Sequence, residues 1–138
     1  NRERHFELAI AREDARTMLK RLKQGSTVWF APDQNYGHKH SLFSPFFGVP
    51  AATTTAMSRF ASATGASLVP IFFQRLDVRG RYRLRLLPPL ENFPSGDPQQ
   101  DTDRINRLME EYIRLCPEQY LWIHRRFKDR PNGEPSYY

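Results

Sequence analysis

Apolar residues recur at three- and four-residue steps near the start of the chain: Leu8, Ala11, Ala15, Met18, Leu19 and Leu22. That spacing predicts an amphipathic helix over Phe6–Lys23. Glu13 and Asp14 precede Arg16, Lys20, Arg21 and Lys23, an order that suits the helix dipole, and Gly25 is a fitting stop. The pattern then changes. Thr27–Phe30 is β-branched and aromatic and predicts a short buried strand, ended by Pro32, which has no N–H for a ladder. Ser41–Val49 holds Leu42, Phe43, Phe46 and Phe47 around Pro45, and reads as an apolar loop packed on the sheet or lining a groove. Ala51–Thr64 predicts a second helix, with a Thr among 53–55 as its N-cap and Gly65 as its stop.

Ser67–Gln74 predicts a second buried strand, with Pro70 placing it at an edge or a bulge. Arg81–Leu87 alternates strictly, with Arg81, Arg83 and Arg85 opposite Tyr82, Leu84 and Leu86. This is the pattern of a half-buried strand, forming a hairpin with the strand before it. Pro88–Pro98 reads as a loop. Asp101 can cap a third helix running to Leu115, whose buried face is Ile105, Leu108, Met109, Tyr112 and Ile113. Pro117–Ile123 starts a short helical turn or strand, and residues 130–138 form a loose tail. The element order predicts an α/β fold: one domain over residues 1–138, a mixed sheet with helices packed on it.

Composition narrows the chemistry. The chain has 138 residues and is 39% hydrophobic, enough for a real core. A formal charge of +6 favours anionic partners: nucleic acid, acidic proteins or phosphorylated head groups. The single cysteine, Cys116, excludes an internal disulfide and suits the end of a helix as a small hydrophobe. No apolar run has membrane-spanning length, and no P-loop, Gly-rich dinucleotide motif, zinc spacing or repeat is present. Neither a metal nor a cofactor is expected.

The sharpest candidate residue is Asp33. It stands where the Thr27–Phe30 strand runs out, the place where open α/β sheets bind ligands. An Asx turn closing the strand accounts for the same residues.

Four stretches point further. Phe30-Ala-Pro-Asp-Gln-Asn-Tyr-Gly37, Pro45-Phe-Phe-Gly48, Ala51-Ala-Thr-Thr-Thr55 and Pro117-Glu-Gln-Tyr-Leu-Trp-Ile-His-Arg-Arg-Phe-Lys128 together resemble the late acyltransferases of lipid A biosynthesis, the lauroyl/myristoyl type. Val69-Pro70-Ile71 resembles the last block of the wider glycerolipid acyltransferase superfamily. The resemblance implies the C-terminal portion of such a domain. It implies transfer of a fatty acyl chain from acyl carrier protein to a hydroxyacyl chain of a phosphorylated glycolipid acceptor. The expected place is the membrane surface at the cytoplasmic face of the bacterial inner membrane, with no nucleic acid involved. The family uses a His-(x)4-Asp/Glu dyad, the carboxylate orienting a basic imidazole. That motif belongs upstream of Thr27, where His5 is followed at that spacing by Ile10, so the dyad and a membrane anchor are expected in missing upstream sequence. His124 and Asp129 do fit the spacing, but they lie after every other family block and read as a coincidental match.

The resemblance gives Asp33 a supporting catalytic role, orienting an active-site arginine or a ligand hydroxyl. Arg2 and Arg4 are placed to meet Asp33 or a substrate phosphate; a frayed terminus is the alternative. Arg125, Arg126 and Lys128 form a basic patch suited to phosphate or an acidic carrier protein, or else tie the tail to the sheet. The competing class is a non-enzymatic basic module for nucleic acid or an anionic membrane surface, resting on charge and on aromatics interleaved with arginine.

Overall fold

The computed structural model describes residues 4–77 and 79–138. The described residues form three α-helices and two antiparallel hairpins. Helix α1 spans Ala15–Lys23, shorter than Phe6–Lys23. Asp14 caps it, its carboxylate accepting from the Thr17 N–H, so the chain before it is not helical. The segment Thr27–Phe30 is extended but pairs with no strand among the described residues, which corrects the expected buried strand. Trp29 is exposed there.

The expected apolar loop at Ser41–Val49 is a hairpin instead. Strand β1, Ser41–Phe46, pairs with β2, Val49–Thr54. Phe47 and Gly48 join them, both with left-handed φ (50° and 78°), as a two-residue mirror-image turn requires. The Phe47 N–H donates to Glu110 Oε1 at 2.7 Å, which helps hold a non-glycine residue in that conformation. Pro45 faces Pro50 in the register; two-stranded ribbons tolerate such residues because each strand has a free edge. Ala51–Thr54 therefore belongs to β2, and helix α2 begins only at Ala56, running to Thr64. Gly65 ends it in the left-handed conformation.

Strand β3, Ile71–Arg75, pairs with β4, Tyr82–Leu86, as the alternation predicted. Its burial differs from expectation: Phe73, Tyr82, Leu84 and Leu86 are exposed. The partly covered face carries Phe72, which stacks on Tyr112 with ring centroids 3.8 Å apart, and the neighbouring Arg85. Helix α3 runs Pro98–Ile113, starting four residues earlier than a cap at Asp101 would give. Asp97 caps it and Pro98 takes the first helical position, where its missing N–H costs nothing. Asp101 lies inside the helix, buried, and accepts the Ser95 N–H at 2.9 Å.

The core lies between the β1–β2 hairpin and α3: Phe46, Ala51, Ile105 and Met109 are buried, with Phe47, Met57, Leu68, Tyr120 and Phe127 packed around them. A polar network sits inside it. The Asn106 amide donates to Ser44 Oγ at 2.9 Å, Pro45 O at 3.1 Å and Thr53 Oγ1 at 3.1 Å. Residues 117–130, which we call the strap, pass back over this hairpin. From the strap, Arg126 donates to Ala52 O at 2.7 Å and to Thr53 Oγ1, and Arg130 donates to Pro50 O at 2.9 Å.

Candidate functional site

A cleft of about 570 Å³ lies between α1, the extended segment 28–33, α2, β3 and α3. Its wall is built from side chains that the helical periodicity turns inward: Met18 and Leu22 of α1, Met57 and Phe60 of α2, Ile105, Met109 and Tyr112 of α3. Val28, Phe30 and Leu68 complete an apolar lining. Among the described residues of that lining, Asp33 and Arg85 carry formal charge. Pockets of this kind, largely apolar with a few placed polar groups, are the usual form of ligand sites.

Asp33 sits at the end of the extended segment, partly buried, at the cleft wall. No hydrogen bond from the described residues reaches its carboxylate. Its charge is nevertheless felt by Tyr36, Tyr120 and Arg126. Burial, assisted by Asp33, pushes the Tyr120 hydroxyl up to about 12, with Arg126 acting in the opposite sense. Burial also pushes Tyr36 up, against the pull of the Arg12 guanidinium, which lies 4.2 Å above its ring. Burial lowers Arg126, and the negative charges of Tyr120 and Asp33 oppose that shift.

The loop carrying Asp33 is fastened from several sides. Tyr36 stacks on Phe30 at 6.1 Å, and its hydroxyl donates to Ala31 O at 3.2 Å. The Asn35 N–H donates to His124 Nε2 at 3.2 Å, and the Asn35 amide donates to Asp129 Oδ2 at 2.9 Å. His38 Nε2 lies 3.7 Å from Asp129 Oδ1. His124 and Asp129 thus both hold the loop, and no hydrogen bond joins them to each other among the described residues.

The basic patch divides. Arg125 and Lys128 are exposed, with Arg125 over the Tyr138 ring at 5.9 Å. Arg126 is 2% exposed and is spent on β2 carbonyl and hydroxyl oxygens, so it does not share their surface. Arg4 is exposed and makes no ion pair with Asp33 among the described residues; Arg2 lies outside the described residues. Two cleft residues were not foreseen. The alternation sets Arg85 in the row opposite Tyr82, Leu84 and Leu86, and Tyr120 stands within the Pro117–Lys128 stretch with no separate role. Arg85 shared the strict alternation of that row, but which face would be covered depended on α3, far along the chain. Among the described residues, no group of three or more His, Cys, Asp or Glu side chains is placed to hold a metal, and no helix is long and apolar enough to cross a membrane.

Comparison with known proteins agrees with the motifs. The family model for bacterial lipid A biosynthesis acyltransferase matches residues 1–129. A lipid A biosynthesis lauroyltransferase of Escherichia coli (strain K12) is 44% identical over 130 residues, covering 94% of this chain and 42% of the relative. A lipid A biosynthesis acyltransferase of Haemophilus influenzae is 35% identical over 132 residues, with the same coverage of 94% and 42%. A lipid A biosynthesis myristoyltransferase of Escherichia coli (strain K12) is 31% identical over 125 residues, covering 90% of this chain and 39% of the relative. The chain thus spans about two fifths of the length of these curated relatives.

Proposed function

The chain belongs to the bacterial lipid A biosynthesis acyltransferase family, and we propose that it forms the substrate-side part of such an enzyme. The reaction is transfer of a fatty acyl chain from acyl carrier protein to a hydroxyacyl chain of a phosphorylated lipid A precursor. It takes place at the cytoplasmic face of the bacterial inner membrane. The observation that carries this reading is Asp33, a charged group on the wall of a largely apolar cleft. The apolar wall suits an acyl chain, which gains from leaving water roughly in proportion to the area it buries. The carboxylate suits the attacking hydroxyl, whose O–H it can accept and orient. Exposed Arg125 and Lys128 supply cationic groups for phosphate or for an acidic carrier protein. No general base is assigned within the chain; such a base would come with the part of the relatives' length that this chain does not match.

The test is a chimera in which this chain replaces the segment it matches in the Escherichia coli lauroyltransferase. Acyl transfer from acyl carrier protein to a lipid A precursor is then measured. The chimera is expected to be active, and Asp33→Asn, which keeps an acceptor oxygen but loses the charge that strengthens its hydrogen bond, to lower kcat/KM about tenfold. Full activity in Asp33→Asn would remove the role given to this residue.

A further inference from the structure

The strap grips the Asp33 loop at two points that acyl transfer itself leaves unexplained. His124 Nε2 lies 3.2 Å from the main-chain nitrogen of Asn35. A main-chain N–H can only donate, so Nε2 is the bare nitrogen and the ring proton sits on Nδ1. The side-chain amide of the same Asn35 donates to Asp129 Oδ2 at 2.9 Å. Main chain and side chain of one residue, two positions beyond Asp33, are therefore both held by the strap. The loop also passes Asp129 at a glycine. Gly37 has φ 75°, and a Cβ built there would stand 3.9 Å from Asp129 Oδ2. The same strap carries Tyr120 and Arg126, two of the three groups on which the Asp33 charge acts.

We propose that His124 is a positioning residue: with Asp129 it clamps residues 33–37, so that the Asp33 carboxylate stays at the cleft. The purpose of the clamp rests on the function proposed above; its existence does not. A nitrogen already taken by the main chain is not free to receive the proton of an incoming hydroxyl. His124 therefore acts on the reaction only through the loop, although its spacing from Asp129 mimics the family's dyad.

Two measurements test this. In the 138-residue chain, amide exchange at Asn35 is expected to quicken about tenfold in His124→Ala, with the β1–β2 amides unchanged as the control for folding. His124→Gln, whose Oε1 can accept the same N–H, restores protection. Unaltered exchange at Asn35 in His124→Ala would overturn the clamp. In the chimera, His124→Ala is expected to lower kcat about tenfold at unchanged KM for the lipid acceptor, with most of the loss recovered by His124→Gln. An equal loss in both variants would make His124 a proton carrier and overturn the positioning role. A chimera inactive with the unaltered chain would count against acyl transfer, and the exchange measurement would still decide the clamp.

Discussion

The two hairpins of this chain share a topology and differ in almost everything else. In β1–β2, Phe46 is 0% exposed and Ala51–Thr54 are buried without a break, with α3 and the strap both bonded to the ribbon. In β3–β4, Phe73 is 63% exposed and Leu86 62%, while the opposite face meets α3 through the Phe72–Tyr112 stack. Pairing is set locally, by alternation and a turn, but burial is set by what arrives from elsewhere in the chain. A folded 16.2 kDa monomer is expected to expose about 7,500 Å², and this chain exposes 9785 Å². Phe73 pairs with Leu84, and Tyr82, Leu84 and Leu86 alternate along one strand, so the exposed side chains share one face.

The contrast is sharpest in a pair of truncations. Phe46→Ala is expected to cost about 3–5 kcal/mol of unfolding free energy, because it empties a closed core. Phe73→Ala is expected to stay within about 0.5 kcal/mol. Urea unfolding of both variants checks this, and equal losses would erase the distinction between the hairpins. Next in size is the polar network of the closed region. Asn106→Leu keeps the branched shape but takes the amide donor from Ser44 and Pro45, leaving Arg126 to serve Thr53, and is expected to cost about 2–3 kcal/mol in the same measurement.

The smallest effect concerns Tyr120, between the closed core and the cleft. An unfolded tyrosine gives up its proton near its ordinary pKa, whereas folded Tyr120 holds it until about 12. Between those values the native state binds more protons than the unfolded state. The stability present below pH 10 is thus lost as pH rises through 10 toward 12. Tyr120→Phe should flatten that decline, read from unfolding midpoints across the alkaline range.

How much was legible follows the same division. The inward face of α3 and the β3–β4 pairing were readable, since each rests on periodicity within one short segment. The β1–β2 hairpin was not. Its facing prolines imitate a loop, and burial on both faces removes the alternation that marks a strand. Asn106 and Arg126 look like surface residues in sequence, because their acceptors lie 53 to 74 positions away. Asp33 was found because proline and aspartate at the end of an extended run have local meaning. The clamp behind it was not, because it joins residues 89 and 94 positions apart.

Those separations have a consequence for the birth of the molecule. On the ribosome, Asn35 emerges long before His124 and Asp129 are made, and contacts so distant in sequence form late. The β1–β2 ribbon can close as soon as Thr54 is out, yet the Asp33 loop must wait until Asp129 has been made. A premature stop ahead of the His124 codon would therefore spare the ribbon's own pairing and leave this loop unfastened.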